Sequence, residues 1–130
     1  MDASITWDHD QTFVAEASSG FRLPIGEGDI GCRPMELLLF SLAGCTAVDV
    51  LSILQKKRQK LTGFEIQVKS DRSPEHPRRF TAITLNYVVK GEQIDPAAVE
   101  RAIELSLTKY CSVHATLTQS VPIRSAYQIR

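Results

Sequence analysis

The sequence predicts an α+β fold, helices against antiparallel sheets in a single domain of residues 1–130, and three observations carry that prediction. A twenty-residue run from Met35 to Leu54 is apolar on nearly every helical face, segments before and after it have strand composition, and a charged helical stretch follows Asp95. A chain of 130 residues is long enough to bury one real core.

Residues 4–16, SITWDHDQTFVAE, place β-favouring residues on either side of Asp8-His9-Asp10-Gln11, so a hairpin should turn near Asp10. A third strand at Phe21 to Ile25 should run into a glycine-rich loop. Pro34 suits the first turn of the long helix, whose body only Glu36, Ser41, Thr46, Asp49 and Ser52 interrupt with polar groups. A helix greasy all round needs cover all round, which predicts an intimate homodimer. The run QKKRQK at 55–60 puts cations at the helix end, where they complement its dipole, and Gly63 is expected as the stop. Residues 64–70 alternate strictly and 80–89 are rich in β-branched and aromatic side chains, a second hairpin around the proline-bearing connector 71–79. Asp95-Pro96 reads as N-cap and first residue of a helix with an inward stripe of Val99, Ala102, Ile103, Leu105, Ser106 and Leu107, ending near Tyr110. A short helical turn from Cys111 and a closing strand follow, with Pro122 at an edge.

Fifteen basic residues balance fifteen acidic ones, so no field gathers polyanions and nucleic acid is not an expected partner. The start, MDASITWDHD, lacks the basic and apolar stretches of a secretory signal, and no uninterrupted apolar run has spanning length, so no membrane is expected and the cytoplasm is the expected compartment. Three cysteines, Cys32, Cys45 and Cys111, are too few for a disulfide framework and are reactive, metal-binding or inert in a reducing compartment.

Cys45, in LAGCTAV, has Ala43 and Gly44 beside it, a thin surface that lets a substrate approach the sulfur. A thiol in an apolar helix is otherwise an ordinary core residue with a raised pKa, and needs a cation to become a nucleophile. Arg22, Arg33, Arg124 and His9 are the loose cationic candidates. Cys111 opens the C-terminal segment, where the amides of a short helix would favour a thiolate; the alternative is a packed small residue. Asp49 lies one turn beyond Cys45 and must find a partner or stay protonated. A zinc site from Cys111, His114, Cys45 and Cys32 would need chance convergence, and no metal is expected. Cys32, in the loop before the long helix, reads as a bystander.

The stretch Arg33-Pro-Met-Glu-Leu-Leu-Leu-Phe-Ser-Leu-Ala-Gly-Cys45-Thr-Ala-Val-Asp-Val50, continued by Lys109-Tyr-Cys111-Ser-Val-His-Ala115, resembles the OsmC/Ohr family, named for osmotic induction and organic hydroperoxide resistance. The resemblance covers nearly the whole chain in element order. It implies an OsmC-like fold, antiparallel sheets wrapped around a long central buried helix, in an intertwined homodimer with each site at the subunit interface. It also implies a two-cysteine peroxidase for organic hydroperoxides: Cys45 attacks the O–O bond, Cys111 resolves the sulfenic acid as a disulfide, and an external dithiol reduces it, with no cofactor. Peroxidase branches carry a glutamate after the helix-leading proline, where Met35 stands and Glu36 comes one residue late, and an arginine in the first hairpin, where this chain has Trp7 to Asp10. The wording of the helix resembles that of the YhfA-like OsmC branch, and here Asp49, Glu36 or an unplaced arginine would replace the usual relay. The alternative expectation is a redox-sensitive binding module for a small hydrophobic ligand.

Overall fold

The computed structural model describes residues 1–27 and 31–130, so the loop expected around Gly28 to Ile30 lies outside the described residues. The chain forms two compact units, Met1–Phe40 and Ser41–Arg130, and the division falls inside a continuous helix rather than in a linker.

The first unit is an antiparallel meander of β1 (Ala3–His9), β2 (Thr12–Ala17) and β3 (Arg22–Gly26). Its first turn falls where the sequence puts it: Asp10 takes the left-handed conformation (φ 46°) and its carbonyl accepts the Trp7 indole N–H at 2.8 Å. Gly26 is required, because a Cβ there would stand 2.0 Å from the Gln11 carbonyl oxygen. Cys32 returns beside β3, its N–H bonded to the Pro24 carbonyl.

Helix α1 (Pro34–Lys56) begins with proline, whose missing N–H costs nothing in a first turn. It begins in the first unit and continues through the second. Only Leu42, Thr46, Val50 and Leu54, a single i, i+4 stripe, are buried. Its 23 residues are long and apolar enough to cross a membrane, although this stripe lies wholly within the protein core. Gly63 is not the helix stop. The Gln59 N–H bonds the Leu54 carbonyl and the Arg58 N–H the Gln55 carbonyl, with Arg58 at φ 57°, a Schellman closure built on arginine in place of glycine. Gly63 lies instead in β4, at a bulge under the Lys90 side chain.

In the second unit, β4 (Lys60–Arg72) pairs antiparallel with β5 (Phe80–Glu92), and both strands run longer than their alternation predicts. The closing strand β6 (Ile123–Ile129) lies on the other side of β5, at the sheet edge and with Pro122 just ahead of it. It pairs parallel, so this sheet is mixed rather than purely antiparallel. A parallel neighbour needs a crossover, and helices supply it. Asp95 caps α2 (Pro96–Leu105), its carboxylate accepting the Ala97 N–H at 3.0 Å. The helical path does reach Tyr110, but Ser106–Tyr110 widens into a π-turn, and α3 (Ser112–Leu117) follows. Ile83, Leu85, Tyr87 and Val89 of β5 join the α1 stripe and Val99, Ala102 and Ile103 of α2 in the core.

Candidate active site

The second unit brings Cys45, Asp49 and Cys111 together, with two sulfurs and one carboxylate oxygen all within 4.8 Å of one another. Cys45 and Asp49 are one turn apart on α1 and so share a face. Cys111 arrives by way of the π-turn: its N–H closes on the Ser106 carbonyl five residues back, at 2.7 Å, and the residue then takes extended backbone as N-cap of α3. Cys45 is half-buried, while Cys111 is only 3 % exposed. Gly44 is exposed and a Cβ there would meet nothing, so the thin surface expected beside Cys45 is open within the chain.

The two thiols are driven in opposite directions. Burial pushes Cys45 up, but hydrogen bonds from the Val113 amide, the Cys111 thiol, and the Ser112 hydroxyl and amide outweigh it and leave this thiol below its ordinary value. The Ser112 hydroxyl stands 3.9 Å from the Cys45 sulfur. Cys111 is pushed up to about 11, by burial first and then by the neighbouring Cys45 and Asp49 charges, against the help of the His114 amide. That amide donates to the Cys111 sulfur at 3.4 Å. The start of α3 therefore favours a thiolate as the sequence suggests, but chiefly on Cys45 across the site. The groups that lower Cys45 are neutral donors rather than the expected cation.

Asp49 has its partner in Ser106, whose hydroxyl donates to Oδ2 at 2.9 Å. A hydroxyl has one proton, and that bond uses the proton of Ser106, so at the 2.7 Å contact Thr46 must donate to Ser106. Thr46 has then spent its own proton, and at 2.8 Å the Tyr87 hydroxyl must donate to Thr46. Three hydroxyls thus point in series at a carboxylate, all on residues with no solvent exposure. Such a chain fixes the orientation of the Asp49 carboxylate. Burial, and after it the Cys111 and Asp49 charges, push Tyr87 up to about 12. These supporting residues are the ones sequence reasoning missed. Their signal was a polar side chain at an inward position: Thr46 interrupting an apolar helix, Ser106 in an apolar stripe.

Glu36, a candidate for the relay, lies in the first unit. Its carboxylate accepts the Arg33 backbone N–H at 3.1 Å in the first turn of α1, a helix cap. Arg22 pairs with Glu16 on the first sheet and His9 with Asp8. Cys32 donates to the Arg33 carbonyl. His114 contributes its backbone N–H to Cys111, and among the described residues the trio with metal-ligand spacing is Cys45, Asp49 and Cys111.

Comparison with known proteins agrees with this architecture. The family model of the OsmC-like proteins matches residues 26–126. Protein YhfA of Escherichia coli K12 is 41 % identical over 131 residues, covering 99 % of this chain and 98 % of that protein. A crystal structure of a hypothetical protein from Aquifex aeolicus superposes with a TM-score of 0.91 at 35 % identity, over 99 % of this chain and 95 % of that one. That of an organic hydroperoxide resistance protein from Elizabethkingia anophelis gives 0.73 at 12 % identity, over 98 % and 94 %, a likeness of fold. The chain belongs to the OsmC-like protein family.

Proposed function

We propose that this protein is a cytoplasmic two-cysteine peroxidase for organic hydroperoxides, acting in oxidative-stress defence as a homodimer. The observation that carries the reading is the opposed bias of two sulfurs within 4.8 Å: Cys45 lowered and Cys111 raised to about 11. An attacking thiol must be a thiolate, whereas a resolving thiol is best kept protonated until a sulfenic acid forms beside it. The Cys45 thiolate attacks the distal peroxide oxygen: an S–O bond forms, the O–O bond breaks, and the alkoxide leaves as alcohol with a solvent proton. The Cys111 sulfur then attacks the sulfenic sulfur. The S–S bond forms as the S–O bond breaks, and the Cys111 proton passes by way of the Asp49 carboxylate to the departing hydroxide, which leaves as water. An external dithiol reduces the disulfide by two exchanges and takes up the oxidation. No cofactor enters the cycle. Membership of a family that includes organic hydroperoxide resistance proteins supports the substrate class.

The dimer rests on α1. Phe40 is 63 % and Val48 70 % exposed on a helix whose own chain covers one stripe, and a second subunit would bury what remains. The test of the cycle is consumption of cumene hydroperoxide with a dithiol by Cys45→Ser. Complete loss is expected, and turnover equal to wild type would end the reading.

A second reading has one specific observation behind it. The first unit holds a cavity of about 560 Å³ lined by Ile5, Phe13, Ile25, Pro34 and Leu37 among others, a size and lining suited to a small hydrophobic ligand. Neither Cys45 nor Cys111 lines it. A protein that binds such a ligand but forms no Cys45–Cys111 disulfide after mild peroxide treatment would be a binding module instead.

A further inference from the structure

We propose that the reduced Cys45–Asp49–Cys111 cluster is a binding site for one thiophilic divalent cation of the zinc class per chain, mutually exclusive with the disulfide. Its three ligand atoms already lie within 4.8 Å of one another. In a tetrahedral zinc centre, bonds of about 2.3 Å to sulfur and about 2.0–2.2 Å to oxygen set neighbouring ligand atoms roughly 3.5–3.8 Å apart. Closing the cluster on an ion therefore asks for about an ångström of side-chain movement and no rearrangement of the backbone.

The scaffold around the ligands has the features a metal centre needs. Cys45 and Asp49 project from adjacent turns of one helix, and Cys111 is fixed where the π-turn meets α3. Ligating carboxylates are normally held by hydrogen bonds of their own. Here Ser106 holds Oδ2 of Asp49, backed by Thr46 and Tyr87, and a carboxylate anchored through one oxygen has the other to offer.

Two thiolates and one carboxylate form a soft set that selects zinc, cadmium or cobalt over magnesium or calcium. Fully ionised, the trio carries three negative charges, while the groups that stabilise the Cys45 sulfur are neutral donors. A divalent cation brings the positive charge that these donors lack. With three protein ligands the fourth vertex stays open to water, as in catalytic zinc centres. Starting from two thiols, binding breaks two S–H bonds, forms two metal–sulfur bonds and releases two protons to solvent. No electrons move. The disulfide form has no thiolate to offer, so oxidation expels the ion, and the bound ion in turn occupies the sulfur that would meet an oxidant.

The experiment uses the reduced full-length protein with zinc and cobalt alone, without peroxide, so a failure of the peroxidase reading leaves it intact. Equilibrium dialysis against chelator-buffered zinc is expected to give one ion per chain. Cobalt should show thiolate charge-transfer absorption and the intense visible bands of a tetrahedral centre. Disulfide-oxidised wild type, whose folding depends on no substitution, should bind none. Cys32→Ser should bind as wild type, Cys45→Ser and Cys111→Ser should lose more than about 100-fold in affinity, and Ser106→Ala about 10–100-fold through its hold on Asp49. Failure of the reduced protein to bind zinc, or equal binding by the oxidised protein, would overturn the site. An Asp49→Asn protein with unchanged affinity and cobalt spectrum would overturn the three-ligand assignment.

Discussion

Alkylation of the reduced protein by iodoacetamide should be strongly biased towards Cys45, and the size of the bias follows from the site. Cys111 is pushed to about 11 from an ordinary 9.0, which at neutral pH cuts its thiolate fraction about 100-fold relative to an ordinary thiol. A more basic thiolate is also more nucleophilic, by roughly 6–10-fold over two pKa units with a Brønsted slope near 0.4–0.5. Protonation alone thus leaves Cys111 about tenfold slower than an ordinary thiol. The lowered Cys45 widens the gap, and the 3 % exposure of Cys111 widens it again. The measurement is peptide mapping of alkylation rates between pH 6 and pH 11 (roughly the span over which an ordinary thiol and a raised one ionise) in a Cys32→Ser background. The Cys45 rate should level off below the ordinary thiol range, and the Cys111 rate should still be climbing at the alkaline end. Asp49→Asn removes one of the charges that raise Cys111 and should bring its profile down in pH. Equal rates at the two cysteines at neutral pH, or a Cys45 profile centred at or above the ordinary value, would refute the assignment of attacking and resolving roles.

Tyr87 gives a second pH signature. An unfolded tyrosine ionises near 10 and the folded one near 12, so the contribution from keeping Tyr87 neutral is complete below pH 10 and is lost as pH rises towards 12. Wild type should lose about 2–3 kcal/mol more stability than Tyr87→Phe across that window, read by urea unfolding. Val48→Asp places a charge on the most exposed apolar site of α1 and should give a monomer where wild type sediments as a dimer; identical sedimentation of the two would remove the helix from the interface. Glu36→Gln keeps an acceptor for the Arg33 N–H and should leave both the melting temperature and the Cys45 alkylation rate unchanged, whereas a slower Cys45 would place Glu36 in the thiolate relay.

The sequence by itself determined what depends on neighbours along the chain. The turn at Asp10, the Asp95-Pro96 start of α2, the long helix from Pro34 and the strands on either side of residues 71–79 all follow from spacing and capping chemistry, and all are found. The cysteines of interest were legible too, because each stands in a distinctive local setting. What only the tertiary structure decided depends on residues remote in sequence. The parallel placement of β6 needs the whole crossover, and the Schellman closure on Arg58 shows a geometry that usually advertises itself by glycine. The π-turn that carries Cys111 to Ser106 has no periodic signature. The lowering of the Cys45 thiol was hidden for the same reason. A cation would have been visible as a residue type, but backbone amides are carried by every residue, and only folding aims those of Ser112 and Val113 at a sulfur on α1.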